Sequence, residues 1–443
     1  MIVEHTSVAS AFRRLAVPYF GAMVGDQLLG VADTIVIGSL GTDSLAAATA
    51  ATTAFAALAI TLYGVNSGAA VLAAQAIGAE NYARFGEIVR AAAVAPLLIA
   101  LACAVAGHAY GYALVLALVG PLPTAPAAGV YFGLRCLSLV PMAASGLAVA
   151  VLGAAGNTRF MAALLVLVNV IHIPLLLVLA LGLGTHRPFG LAGAGVSSLI
   201  AEIVAAGYAI VALVRRPQLK VFARFELSWK LARRTFGISL PEMIYLFLVL
   251  VPEVVLIAFL APLGPRIVAA YRALAIVSDL TFAIPLGLES AAQTVIGQRF
   301  GARDMRGAQD FQRSATRYGV ILSTLAGVIV ACAAWPLSAI VTWNAELASL
   351  AALPLATHML TLPLKGYAFL GLAPIRAAGD TRFSMLVGVV ASAAVIPLAW
   401  YGISVLSFGL FAVPFAWIGG WLLWCALVFL RLRRFNWAAG RLL

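Results

Sequence analysis

The chain is a succession of apolar stretches, each long enough to cross a lipid bilayer, and this pattern limits the fold more than any other feature. A helix of about 20 apolar residues spans the hydrocarbon layer. Breaking the sequence at clusters of charge, Gly and Pro leaves twelve such stretches, at 14–38, 46–77, 88–119, 127–152, 160–183, 190–214, 236–262, 267–298, 314–342, 347–375, 383–406 and 410–430. Stretches longer than about 25 residues imply tilted or bent helices. Of the 443 residues, 63% are hydrophobic and 10% are charged, against about 25% charged in a soluble domain. A water-soluble fold has nowhere to hide that much apolar surface. In lipid the backbone must satisfy its own hydrogen bonds, which for stretches of this length means helices. The sequence therefore predicts an all-α polytopic membrane protein with twelve transmembrane helices.

Charge gives the orientation. Lys and Arg number 28 against 16 Asp and Glu, a net charge of +12. In a soluble chain that excess would point to nucleic acid; here the basic residues flank apolar spans, and no nucleic-acid partner is expected. With a cytoplasmic N-terminus, the cytoplasmic segments gather Arg13, Arg14, Arg84, Arg90, Arg159, the 215–235 cluster, the 299–317 cluster, Arg376, Arg382 and the tail from Arg431 to Arg441. The outer segments hold only Arg187 and Arg266. That asymmetry places both termini in the cytoplasm. The N-terminus lacks the signal-peptide pattern, so the first apolar stretch is expected to be a retained helix. Cys103, Cys136, Cys332 and Cys425 all sit in apolar stretches without CxxC spacing, against a disulfide framework or metal site. There is no Walker A sequence and no paired-histidine motif, so neither an ATP-driven pump nor an enzyme is expected, and no cofactor. G-L-A-G-A-G at 190–195 has no strand before it and reads as small residues for close helix packing.

One polar phrase is written twice. Residues 153–160 read G-A-A-G-N-T-R-F and residues 376–383 read R-A-A-G-D-T-R-F, an offset of 223. The same offset aligns Pro18 with Pro241, Gly41 with Gly264, Gly64 with Gly287, Gln75 with Gln298, Arg159 with Arg382 and Pro174 with Pro397. The chain is thus a tandem duplication, six spans plus six. An even number of spans gives both halves one orientation, related by a pseudo-two-fold axis along the membrane normal. The expected division is a lobe at 1–214, a cytoplasmic linker at 215–235 and a lobe at 236–443, with rocking around a central cavity.

The stretches L-A-V-P from Leu15, V-A-D-T-I-V-I-G-S-L-G at 31–41, G-Q-R-F-G-A at 297–302 and the two A-G-[ND]-T-R-F phrases together resemble the multidrug and toxic compound extrusion (MATE) family. The resemblance implies a monomeric inner-membrane antiporter that exports small organic compounds against a proton or sodium gradient. Two alternatives remain, sodium-coupled export and a lipid-linked precursor flippase. The flippases commonly have fourteen spans and a strongly cationic cavity.

Ionisable residues inside spans are the functional candidates, because a charge at bilayer depth is expensive unless paired or neutralised. Asp26 and Asp33 lie seven residues apart in the first span, two helical turns, and so share a face. Asp33 stands at the position of the family's first-span aspartate, a proposed proton or cation site. Asn169 and Ser198 match further family positions, while Ile173 replaces an acid. His172 beside it offers a group that titrates near neutral pH. In the second lobe Val249 and Lys365 occupy the carboxylate positions of sodium-type relatives, which favours protons over sodium. Lys365 is expected to form an intramembrane ion pair with Glu253, Glu289 or Asp279. Arg135 and Arg272, near outer helix ends, are expected to snorkel to the interface.

Overall fold

The computed structural model describes residues 7–183, 188–223 and 226–437. Arg187, Arg224 and Arg441 lie outside them. All regular structure in the described residues is helical. The spans are α1 (Val8–Ser39), α2 (Thr42–Gly78), α3 (Tyr82–Val119), α4 (Ala125–Ala154), α5 (Arg159–Leu181), α6 (Gly190–Val214), α7 (Trp229–Leu263), α8 (Pro265–Gly301) and α9 (Met305–Cys332), then α10, α11 (Thr381–Ser404) and α12 (Gly409–Arg433). α10 is the exception, because Ala345–His358 and Thr361–Ala377 meet at an angle of 41° and only together make a span. The ninth stretch stops earlier than the expected 342. Pro336 has no N–H to give to the carbonyl of Cys332, so α9 ends there and Ala334–Thr342 forms a separate helix.

Several helices begin before their apolar stretch, and capping explains why. The Asn81 side chain accepts a hydrogen bond from Arg84 N at 3.0 Å, and Asp304 accepts one from Gly307 N at 2.8 Å. Each satisfies an otherwise orphan donor of the first turn. Both extra turns are amphipathic and so invisible to a search for apolar residues.

Asn81 and Asp304 are also 223 positions apart, and the repeat is written into the backbone as well as the side chains. Left-handed φ values recur in pairs at that offset: Gly41 (+112°) with Gly264 (+105°), Gly156 (+83°) with Gly379 (+77°), Glu80 (+53°) with Arg303 (+63°), and Gly120 (+76°) with Trp343 (+51°). Gly156 and Gly379 make the turn of the duplicated phrase, as its composition demanded. The last pair shares only the sign of φ, since ψ is −169° at Gly120 and 25° at Trp343.

The helices sort into two compact units. Gly21–Met243 form the first, and residues 7–20 belong with 244–437 in the second. Residues 215–223 therefore fall inside the first unit. There the Arg90 guanidinium donates to the carbonyls of Val221 at 2.8 Å, Lys220 at 3.2 Å and Glu226 at 3.3 Å. In the second unit Phe12, Leu15 and Ala16 pack with Leu288, Ala292, Phe300 and Phe311.

Backbone approach in the first unit is tight where α2 meets the start of α7. Gly68 N donates to Ser239 Oγ at 3.0 Å, and Ser239 in turn donates to Val65 O at 2.7 Å. A Cβ at Gly68 would stand 2.2 Å from the Thr235 carbonyl oxygen. Gly68→Ala is expected to destabilise the protein by about 1–3 kcal/mol through this overlap. The check is thermal unfolding in detergent beside Gly153→Ala, whose Cβ meets nothing within 4 Å. Only the first variant should melt lower.

Candidate functional site

The first unit gathers its membrane charges around Arg135. α1 brings Asp33, α4 brings Arg135, α5 brings His172, and α6 brings Ser197 and Ser198. His172 Nε2 lies 2.7 Å from Asp33 Oδ1, and Arg135 Nη1 lies 4.0 Å from Asp33 Oδ2. Arg135 also donates to Ser198 Oγ at 2.8 Å, and its guanidinium stacks over the Phe55 ring at 4.1 Å. His172 Nδ1 is 3.4 Å from Ser197 Oγ. The histidine side chain is 1% exposed, those of Asp33 and Arg135 16% and 14%. A carboxylate between a buried imidazole and a guanidinium can lose or gain a proton while its partners rearrange, and no other chemistry is on offer. Among the described residues no His, Cys, Asp or Glu cluster has metal-binding geometry.

The expected residues separate. Asp33, His172 and, through Arg135, Ser198 come together. Asn169 does not join them: its amide donates to Leu165 O at 2.9 Å within its own helix. Asp26 is exposed and lies within electrostatic reach of Arg135 rather than bonded to Asp33. Arg135 does not snorkel, because bonds to Ser198 and Asp33 and a ring face draw it inward.

The second unit is wired differently. Lys365 is buried, donates to Ser278 Oγ at 3.4 Å, and sits over the rings of Phe282 at 5.0 Å and Trp421 at 5.7 Å. Ser278 Oγ is 3.0 Å from His358 Nε2. No carboxylate oxygen of the described residues lies within 4.0 Å of Lys365 Nζ, so the expected contact ion pair is not made. Asp279 and Glu253 act on it through space, while Glu253 accepts a hydrogen bond from Tyr271. Glu289, the acid nearest Lys365 in depth by residue count, pairs instead with Arg376 at 3.2 Å, and Arg376 Nε donates to Ser384 Oγ at 2.8 Å. Arg376 is thus a buried partner and not a free turn residue. Arg272 is exposed.

The MatE family model matches residues 18–178 and again residues 241–401, two segments displaced by the same 223 positions as the repeat. The chain belongs to the MATE family. It is similar to the multidrug resistance protein NorM of Burkholderia vietnamiensis, at 28% identity over 396 residues covering 84% of this chain and 82% of the relative. It is also similar to a probable NorM of Bradyrhizobium diazoefficiens, at 26% over 441 residues covering 95% and 92%. Among solved structures, an outward-facing multidrug resistance MATE transporter of the MOP superfamily superposes with a TM-score of 0.88 at 18% identity, covering 97% of this chain and 96% of that one. A MOP superfamily transporter from Pyrococcus furiosus, described as having a binding pocket of reversed polarity that suggests a different function, gives 0.85 at 17%, covering 97% and 95%. The fold is therefore the twelve-helix MATE fold, and the protein is a membrane transporter of the multidrug efflux family rather than an enzyme.

Two residues of this MATE chain escaped the sequence reading. Glu202, half-buried on α6, is within electrostatic reach of both Arg135 and Asp26. A lone acid inside an apolar span was the available signal. Arg376 looked like a turn residue because a helix end and a loop read alike there. Glu289→Ala would leave the Arg376 guanidinium buried without its carboxylate, a change that typically costs about 3–5 kcal/mol. A large loss of thermal stability is expected, partly restored in Glu289→Gln, which keeps a hydrogen-bond acceptor. Equal melting of Glu289→Ala and the native chain would show that the pair is dispensable.

Proposed function

We propose that this MATE protein is a proton-coupled antiporter that exports small amphipathic or cationic organic compounds, with Asp33 as the coupling carboxylate. The observation that carries the reading is the 2.7 Å contact between Asp33 and His172 beside Arg135. It ties down a helix segment that has little else to hold it. Of the 23 residues of Val17–Ser39, only Ala22, Val36 and Ile37 are buried.

Ionised, Asp33 binds His172 and attracts Arg135, which holds the second half of α1 against α4 and α5. Protonated, it loses its attraction for the guanidinium, and the segment is free to repack. A proton entering from one side and leaving to the other alternates the two arrangements, and substrate affinity follows because it differs between them. Sodium is the weaker choice. An ion at Asp33 would have to displace the imidazole and sit beside a fixed cation, and Lys365 already holds a positive charge where sodium-type relatives have an acid. In this reading the chain lies in the cytoplasmic membrane with both termini inside. It works as a monomer, and its lobes, 1–214 and 236–443 joined by 215–235, rock around the substrate.

A second reading concerns the substrate. Lys365, Arg135 and Arg376 are cations shielded within the helices, and the Pyrococcus furiosus neighbour is described by a pocket of reversed polarity. Zwitterionic or acidic compounds therefore belong in any substrate panel.

Purified protein in proteoliposomes should export members of such a panel when a proton gradient is imposed and not when a sodium gradient is imposed. Asp33→Asn should lower gradient-driven export to the level of protein-free vesicles, measured on protein that still folds and elutes as a single species. Wild-type rates with the native pH dependence in that variant would remove Asp33 from the mechanism.

A further inference from the structure

The first unit holds more acid than one coupling carboxylate needs. Glu202 lies four residues after Ser198, one turn further along α6, and so on the face that meets Arg135. Asp26 lies two turns before Asp33 on α1. Glu202, Asp26 and Arg135 are all within electrostatic reach of one another. Arg135 has a donor to spare: its Nε is buried and has no hydrogen-bond partner among the described residues. Asp26 is exposed although it lies near the middle of α1. A carboxylate at that depth cannot face hydrocarbon at tolerable cost, so it opens onto water.

Charge counting gives the consequence. Asp26, Asp33 and Glu202 face one permanent cation, Arg135, and His172 is neutral unless it takes a proton. With every acid ionised the cluster carries a net charge of −2, and two protons bring it to neutrality. Helices α4 and α5 pack against α6. The other titratable groups they present to the cluster are Tyr131, bonded to Thr52 at 3.2 Å, and Cys136. A phenol and a thiol are ordinarily uncharged where carboxylates and imidazoles titrate. They leave the count unchanged.

We propose that Asp26 and Glu202 form a second proton site served by Arg135, so that each transport cycle carries two protons through the first unit. One proton rides on the Asp33–His172 pair and the other is taken by either Asp26 or Glu202. Arg135 leans toward whichever pair is ionised. The inference rests on the proton-coupled reading above and adds a stoichiometry to it. If two protons enter for each monovalent organic cation that leaves, one positive charge moves inward per cycle. The membrane potential then drives export even without a pH difference.

Two measurements on the full-length protein test this. The first needs no substrate. Infrared difference spectra between high and low pH should show a C=O stretching band of a protonated acid that is lost in Glu202→Gln and in Asp26→Asn and remains in Asp33→Asn. Spectra of Glu202→Gln and Asp26→Asn that superimpose on the native one would overturn the second site. The second uses ethidium as the monovalent cation in proteoliposomes at equal pH, with potentials set by potassium and valinomycin. Each ~59 mV should shift the steady-state distribution about tenfold in the native protein and leave it unchanged in Glu202→Gln, where one proton against one cation is electroneutral. An unchanged voltage response in Glu202→Gln sinks the proposal. Failure of the underlying reading looks different, because Asp33→Asn would then keep its pH-driven export.

Discussion

A guanidinium held inside a membrane has to be answered by a carboxylate or a shell of dipoles, and Arg135 organises the first unit for that reason. Burial strips the guanidinium of most of its water, and desolvation costs several kcal/mol per ion. The helices meet the demand from four sides: Asp33 from α1, Ser198 from α6, the Phe55 ring from α2 and, behind Asp33, His172 from α5. The arrangement is stable as a whole and sensitive to any one proton, because removing a single charge leaves another unanswered.

The duplication makes the same point by contrast. Turns and caps recur at the offset of 223 down to their left-handed φ values, while the charges inside the spans do not recur. Arg135 corresponds to His358, Asp33 to Leu256 and His172 to Val395. Conversely Lys365, Glu253 and Asp279 correspond to Met142, Gly30 and Ala56. Backbone geometry had to be kept for both copies to fold on one plan. Internal charge was free to specialise, and the copies now hold opposite central groups, an aspartate bonded to histidine in one and a lysine among aromatic rings in the other.

That division also marks what sequence could and could not convey. Spans, turns and the repeat follow from rules local to a segment: apolar length, glycine at positive φ, an Asn or Asp before a first turn. Asp33 stood out as an acid in an apolar run. The partners did not, because a single helix reveals depth and face but not which neighbour the face meets. Counting residues from helix ends put Glu289 level with Lys365. The count is right in depth, yet Arg376, next to the last residue of α10, is the cation that takes Glu289. The same limit made Arg135 look like a snorkelling residue, since nothing local says that Ser198 and Asp33 stand beside it.

The placement of Asp33 on α1 has its own logic. The start of this helix is anchored by apolar contacts, with Phe12, Leu15 and Ala16 buried among side chains of α8 and α9. Its later part has few buried residues, Val36 and Ile37 at its end, and adds the polar contacts of Asp33. Apolar packing is indifferent to a proton, whereas an ion pair and a charged hydrogen bond are not. On the proton-coupled proposal, a helix fixed at one end by the first kind of contact and bonded further along by the second would respond to protonation at Asp33 and keep its place at its start. Elements that move are drawn from the weakly packed end of a structure. Burying the second half of α1 as deeply as α4 would secure the same fold and, on that proposal, deprive the proton of anything to release.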